Sequence, residues 1–143
     1  MDSETLYNQL KGKNPEEFEP ILSRFLSETD EEAIQDYNTY DDLENFSKIW
    51  LIIKKNNLGD LAVKFIKKLI LIKQEDPTRN KFMIGFSNNS ENTVNNLNFL
   101  QKYDVSLPKI ILDTYTTPEK KLLFESHTRI EIINQIQGIK VEA

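Results

Sequence analysis

Residues 41–72 read DDLENFSKIWLIIKKNNLGDLAVKFIKKLILI, and they decide the fold. Apolar residues recur at spacings of three and four on both sides of a polar turn at residues 56–60, which is the periodicity of buried helices. Both halves are apolar on more than one face. We therefore expect residues 42–72 to form a central antiparallel helical hairpin that the other helices surround.

Helical periodicity also dominates the rest of the chain. We expect an all-α fold, a single compact bundle of about six or seven helices that forms one domain over residues 1–143. The short apolar run at residues 82–86, FMIGF, is ambiguous, because it suits a strand, a loop or a helical turn. A lone strand builds no sheet, so a loop or short helix is preferred, and a short strand near residues 82–86 is the alternative.

Helix starts are marked by capping residues. Asn14 precedes Pro15 and two acids, which is a favourable first turn. Thr29 begins a capping-box pattern, and Asp41 is the predicted cap of the first hairpin helix. Thr117 precedes Pro118 and begins a predicted last long helix, which buries Ile136 among other residues.

Charge is distributed unevenly along this acidic chain, whose net charge is −5. Residues 1–46 carry 13 acidic and 3 basic residues, residues 47–86 carry 3 acidic and 9 basic residues, and residues 87–143 are nearly neutral. Two explanations stay open. The acidic and basic segments pack side by side and neutralise each other, or the acidic segment recognises a basic partner.

The candidate binding site is an acidic segment that also contains tyrosines. Clustered carboxylates attract a basic surface, and tyrosine rings provide rigid contact area with little loss of entropy. The alternative is helix-start chemistry, because the helix dipole favours acids in first turns by about 0.3–1 kcal/mol each. The predicted partner-binding residues are Glu31, Glu32, Asp36, Tyr37, Tyr40, Asp41, Asp42 and Glu44.

A lysine-rich segment over residues 48–81 provides the alternative function, a nucleic-acid-associated regulator. Lysines on helices contact phosphates through their charge. The isoelectric point near 5.0 and the scarcity of arginine in this segment argue against nucleic acid as a partner, so solvated helix faces are the simpler interpretation.

The sequence contains few residues that could form a catalytic or metal-binding motif. The chain has no cysteine, which excludes disulfides, thiol catalysis and Cys-ligated zinc. The single histidine, His127, follows Ser126 directly, and adjacent residues on a helix do not face each other as a triad requires. A calcium loop beginning at Asp36 fails, because Asp41 stands where glycine is needed. We expect no catalytic residue, no cofactor and no metal, although a small carboxylate-based enzyme is the least favoured alternative.

The function expected from the sequence is therefore non-catalytic protein binding, of the kind performed by immunity proteins, antitoxins and inhibitors of host factors. The partner is expected to be a basic protein such as a toxin or a nuclease, and a homodimer is a further option. Lysines interrupt the longest apolar stretch, residues 58–72, and residues 1–5 lack signal-peptide features. We expect a cytoplasmic protein that does not associate with membranes.

Overall fold

Helices make up all of the regular secondary structure in the part of the chain that the structure describes, residues 1–73, 79–115, 132, 135 and 136. The structure is a computed structural model. Its elements are α1 Ser3–Leu10, α2 Pro15–Glu28, a 3₁₀ helix Ala33–Asp36, α3 Tyr40–Lys55, α4 Gly59–Leu69, α5 Lys81–Phe86, α6 Ser90–Gln101 and α7 Leu107–Tyr115. The predicted all-α fold is confirmed. The short strand suggested near residues 82–86 is wrong, because α5 covers that segment.

Asparagine side chains of α6 explain why the apolar residues 82–86 form a helix and not a strand. Asn96 donates from Nδ2 to the carbonyl oxygen of Phe86 at 2.8 Å, and Asn92 donates to that of Gly85 at 2.9 Å. The last carbonyls of a helix lack partners within the helix itself. These two donors satisfy them, which a pattern of apolar residues alone does not reveal.

The capping residues differ from the prediction at two helices. Asn14 caps α2 as predicted. The 3₁₀ helix begins at Ala33, and its first backbone N–H donates to Oδ1 of Asp30 at 2.8 Å, so Asp30 rather than Thr29 provides the side-chain acceptor before it. Thr39, rather than Asp41, caps α3, and its Oγ1 accepts the backbone N–H of Asp42 at 3.1 Å. Asp41 and Asp42 thus occupy the first turn of α3, where the helix dipole favours acids.

The predicted hairpin lies inside the first of two compact units, Met1–Phe82. Helices α3 and α4 contact each other across a short turn, in which Asn57 adopts a left-handed backbone conformation with φ 55°. Helix α1 packs against α3, and α2 packs against both α1 and α4. The two hairpin helices are therefore covered by the helices that precede them in the chain.

Aromatic rings form the core of this first unit. Phe46 of α3 and Phe65 of α4 are completely buried, and their ring centroids lie 5.9 Å apart in an edge-to-face arrangement. Phe65 meets Phe82 at 6.1 Å in the same way. Such pairs contribute about 0.5–1.5 kcal/mol beyond the burial of their area. The ring contacts therefore link α3, α4 and the start of α5.

The second unit, Met83–Ala143, contains α6 and α7, which pack against each other. Leu97 and Leu107 are completely buried, and the predicted burial of Ile136 is confirmed. The rest of the predicted last helix, from Thr117, lies outside the described residues. One domain over residues 1–143 stays a prediction.

Candidate functional site

An open groove of about 880 Å³ lies on the first unit. Its walls come from the residues before α1, from α1 and α2, from the 3₁₀ helix and from the start of α3. The polar and aromatic residues of its lining that matter below are Asp2, Arg24, Phe25, Asp36, Tyr37 and Asp42. We call this site the acidic groove.

Tyr37 joins the acidic groove to the aromatic core. Its ring meets Phe25 edge-to-face with centroids 5.4 Å apart, and it lies 5.7 Å from the ring of Phe46. Its hydroxyl donates a hydrogen bond to the carbonyl oxygen of Met1 at 2.5 Å. The tyrosine predicted as a binding anchor is therefore half-buried, and it fixes the chain before α1 against the 3₁₀ helix.

Three carboxylates surround this tyrosine. Burial raises the pKa of Tyr37, and the negative charges of Asp42, Asp2 and Asp36 raise it further. The phenol therefore stays protonated, and keeps donating its hydrogen bond, to a higher pH than an exposed tyrosine does. The three aspartates come from separate segments of the chain, and folding concentrates their charge at one place.

Two of these aspartates also hold local structure. Asp2 caps α1, and the hydrogen bond from the backbone N–H of Thr5 at 2.7 Å lowers the pKa of Asp2. Asp42 accepts a hydrogen bond from the hydroxyl of buried Ser3 at 2.6 Å, and that hydroxyl accepts one from Asn45 at 3.1 Å. This small network attaches α1 to α3 and fixes one wall of the acidic groove.

Arg24 and Glu28 line the groove from α2. Arg24 Nε lies 2.9 Å from Glu28 Oε1, and both side chains are largely exposed. An exposed pair of this kind contributes little to stability and is screened by salt. It places one positive charge at the groove and leaves the groove acidic as a whole.

The eight predicted residues separate into two groups. Asp36, Tyr37 and Asp42 line the acidic groove. The other five residues, Glu31, Glu32, Tyr40, Asp41 and Glu44, do not contribute to its lining.

These five residues have different surroundings. Glu31, Glu32 and Asp41 are exposed. Tyr40 is also exposed, and Lys81 Nζ lies 5.9 Å from the centre of its ring. Glu44 lies 3.9 Å from Lys48 one helical turn away. Tyr40 therefore does not share a site with Tyr37, although the two are close in sequence.

Gln35 and Asp2 are important residues that the sequence interpretation missed. Gln35 donates to the carbonyl oxygen of Leu71 at 2.5 Å and accepts the backbone N–H of Lys73 at 2.9 Å. It thereby joins the 3₁₀ helix to the end of the hairpin, and no motif marks it. Asp2 could have been found as the cap of a helix that begins at residue 3, but its position in the groove could not.

Within the described residues, no three His, Cys, Asp or Glu side chains are grouped so that they could share a metal ion. The helices in that part of the chain include none with the length and apolar character needed to cross a membrane. His127 lies outside the described residues, so its expected structural role is untested.

Comparison with known proteins identifies no relative. No family model matches the chain, and neither a curated protein nor a solved structure shows significant similarity to it.

Proposed function

We propose that this protein is a non-catalytic binding protein that uses the acidic groove to hold a basic segment of a partner protein. In this proposal the protein acts in the cytoplasm as an inhibitor of the immunity, antitoxin or host-factor type. The observation that carries the proposal is the gathering of Asp2, Asp36 and Asp42 around Tyr37 in an open groove.

The size and charge of the groove support a basic ligand. A volume of about 880 Å³ lies in the range of ligand-binding clefts, about 300–1,000 Å³. Such a space accepts one or two lysine or arginine side chains from a loop. Carboxylates on rigid elements favour those side chains over acidic ones, and they increase the association rate at low salt.

The exposed acids outside the groove have a secondary role in this proposal. Glu31, Glu32 and Asp41 extend the negative field, which acts over about 8–10 Å at physiological salt. They guide an approaching basic surface without touching the bound segment. Of the eight residues predicted to bind the partner, the proposal therefore assigns direct contact only to Asp36, Tyr37 and Asp42.

We propose binding rather than catalysis because three polar groups of the groove already make hydrogen bonds within the protein. The Tyr37 hydroxyl donates to a backbone carbonyl, Asp2 caps α1, and Asp42 accepts from Ser3. A general acid or base needs its proton-transferring atom to face a substrate. The groups here are instead engaged in holding the walls of the groove.

A binding assay with a defined basic probe tests the proposal. The probe is a fluorescein-labelled arginine octapeptide, and its anisotropy is followed at low salt. In the groove variant, Asp36→Asn with Asp42→Asn, the amide oxygen at residue 42 preserves an acceptor for the Ser3 hydroxyl. Exposed charge pairs contribute about 0.2–1 kcal/mol each, so we expect binding to weaken by about 2- to 30-fold.

The matched control is Glu16→Gln with Glu19→Gln. These exposed acids lie on α2 outside the groove lining, and their removal changes the net charge equally. If the control weakens binding as much as the groove variant does, the peptide responds only to total charge, and the proposal fails.

A further inference from the structure

Thr29 lines the acidic groove at the end of α2, and it exposes only 6% of its surface. Its hydroxyl makes no hydrogen bond with any residue in the part of the chain that the structure describes. The capping role that the sequence offered to Thr29 is filled by Asp30. A buried polar group without a partner costs free energy. Because Thr29 lines the groove, a ligand that enters it can supply the missing partner.

The end of α2 offers further hydrogen-bond acceptors to the same groove. The helix ends at Glu28, its last turn contains no basic side chain, and Arg24 just before that turn is paired with Glu28. The last four carbonyl groups of a helix lack partners within the helix, and they favour a nearby cation. Phe25 and Glu28 of this turn line the groove together with Thr29. The groove thus lies at the negative end of a helix dipole.

The rest of the lining combines the carboxylates of Asp2, Asp36 and Asp42 with the half-buried ring of Tyr37. Carboxylates alone attract arginine and lysine alike. The guanidinium of arginine stacks on aromatic rings, is weakly hydrated and carries five N–H donors in one plane. The ammonium of lysine is strongly hydrated and has three donors, which carboxylates can satisfy. An aromatic ring and neutral acceptors beside the carboxylates therefore favour arginine.

We infer that the acidic groove selects arginine over lysine in the partner segment, and that the Thr29 hydroxyl accepts a hydrogen bond from the bound guanidinium. The inference rests on the function proposed above, and it narrows the ligand from a basic segment to an arginine side chain. Thr29 is then a binding residue that the acidic pattern of the sequence does not mark, because it carries no charge.

The energy of one hydrogen bond gives the expected size of the effect. The net contribution of such a bond corresponds to about a fivefold change in affinity, so the wild type should bind an arginine peptide at least about fivefold more tightly than a lysine peptide of equal charge. Thr29→Val preserves the shape of the side chain and replaces its hydroxyl with a methyl group. It should weaken binding of the arginine peptide by about fivefold and that of the lysine peptide by less than about twofold.

The experiment compares fluorescein-labelled octapeptides of arginine and of lysine by anisotropy at low salt, with the full chain. The test variant is Thr29→Val. Two controls should retain the wild-type ratio of the two affinities. Thr29→Ser keeps the hydroxyl at the same place, and Ser23→Ala removes a half-buried hydroxyl of α2 that is not part of the groove lining. Far-UV circular dichroism verifies that the three variants are folded.

The expected result is a preference of the wild type for the arginine peptide that Thr29→Val reduces and both controls retain. Equal affinity of the wild type for the two peptides would overturn the inference and leave the proposed binding of basic segments standing. A preference that Thr29→Val leaves unchanged, or that Ser23→Ala reduces equally, would overturn the role assigned to the Thr29 hydroxyl. Absence of binding to both peptides would overturn the proposed function and this inference together.

Discussion

Replacing Tyr37 tests whether the acidic groove and the aromatic core depend on one residue. Tyr37→Phe removes only the hydroxyl that donates to the exposed Met1 residue, so we expect it to destabilise the first unit by about 1 kcal/mol. Tyr37→Ala also removes the ring contacts with Phe25 and Phe46 and a half-buried apolar surface. We expect a total of about 3 kcal/mol for this change.

Fluorescence of Trp50 provides a local assay. It is the single tryptophan of the chain, it is buried on α3, and it therefore reports on the unit that contains Tyr37. With a urea dependence of about 2 kcal/mol per molar, Tyr37→Phe should lower the unfolding midpoint by about 0.5 M and Tyr37→Ala by about 1.5 M. Equal midpoints for the two variants would contradict the role assigned to the ring.

The same variants separate stability from binding. Tyr37→Phe leaves the carboxylates of Asp2, Asp36 and Asp42 in place, so its affinity for the arginine octapeptide should stay within about twofold of the wild type. If Tyr37→Phe abolished peptide binding while remaining folded, the hydroxyl itself would contact the ligand. The argument that it serves only to hold the groove would then be refuted.

Three further predictions concern other parts of the fold. Gln35→Ala should speed amide hydrogen exchange in the 3₁₀ helix, because the side chain that joins it to the end of the hairpin is lost. Asn96→Ala should destabilise the second unit by about 1–3 kcal/mol in thermal unfolding, whereas the exposed neighbour Asn95→Ala should have almost no effect. Burial raises the pKa of Tyr115 to about 12, so its stabilising contribution is present below pH 10 and is lost as the pH rises toward 12. In an alkaline unfolding series, Tyr115→Phe should flatten this decline.

The helices were predictable because each has its own local signal. The spacing of Phe46, Ile49 and Ile53 marks α3 as an amphipathic helix without any knowledge of its neighbours. The caps were less certain, because Thr29 and Asp30 are adjacent and both residue types cap helices well. At α3 the predicted cap, Asp41, lies inside the first turn, because Thr39 two residues earlier accepts the backbone N–H of Asp42.

The groove was predictable only in part, because its residues are distant in sequence. The sequence marks Asp36, Tyr37 and Asp42 as part of one acidic stretch with tyrosines. Asp2 is separated from them in the chain by α1 and α2, and only folding brings it into the same groove. Tyr40 had the same signal as Tyr37. Tyr37 lies in the connection between the 3₁₀ helix and α3 and reaches the core, whereas Tyr40 is the first residue of α3 and is exposed.

The most direct test of the acidic groove is a nuclear magnetic resonance titration of the ¹⁵N-labelled protein with the arginine octapeptide. The account predicts that the largest amide shift changes occur at Asp2, Asp36, Tyr37 and Asp42, and that the Asp36→Asn, Asp42→Asn variant needs a peptide concentration about 2- to 30-fold higher to reach half of its shift change. Changes of equal size spread over Glu31, Glu32 and Asp41, with none at the groove, would contradict it.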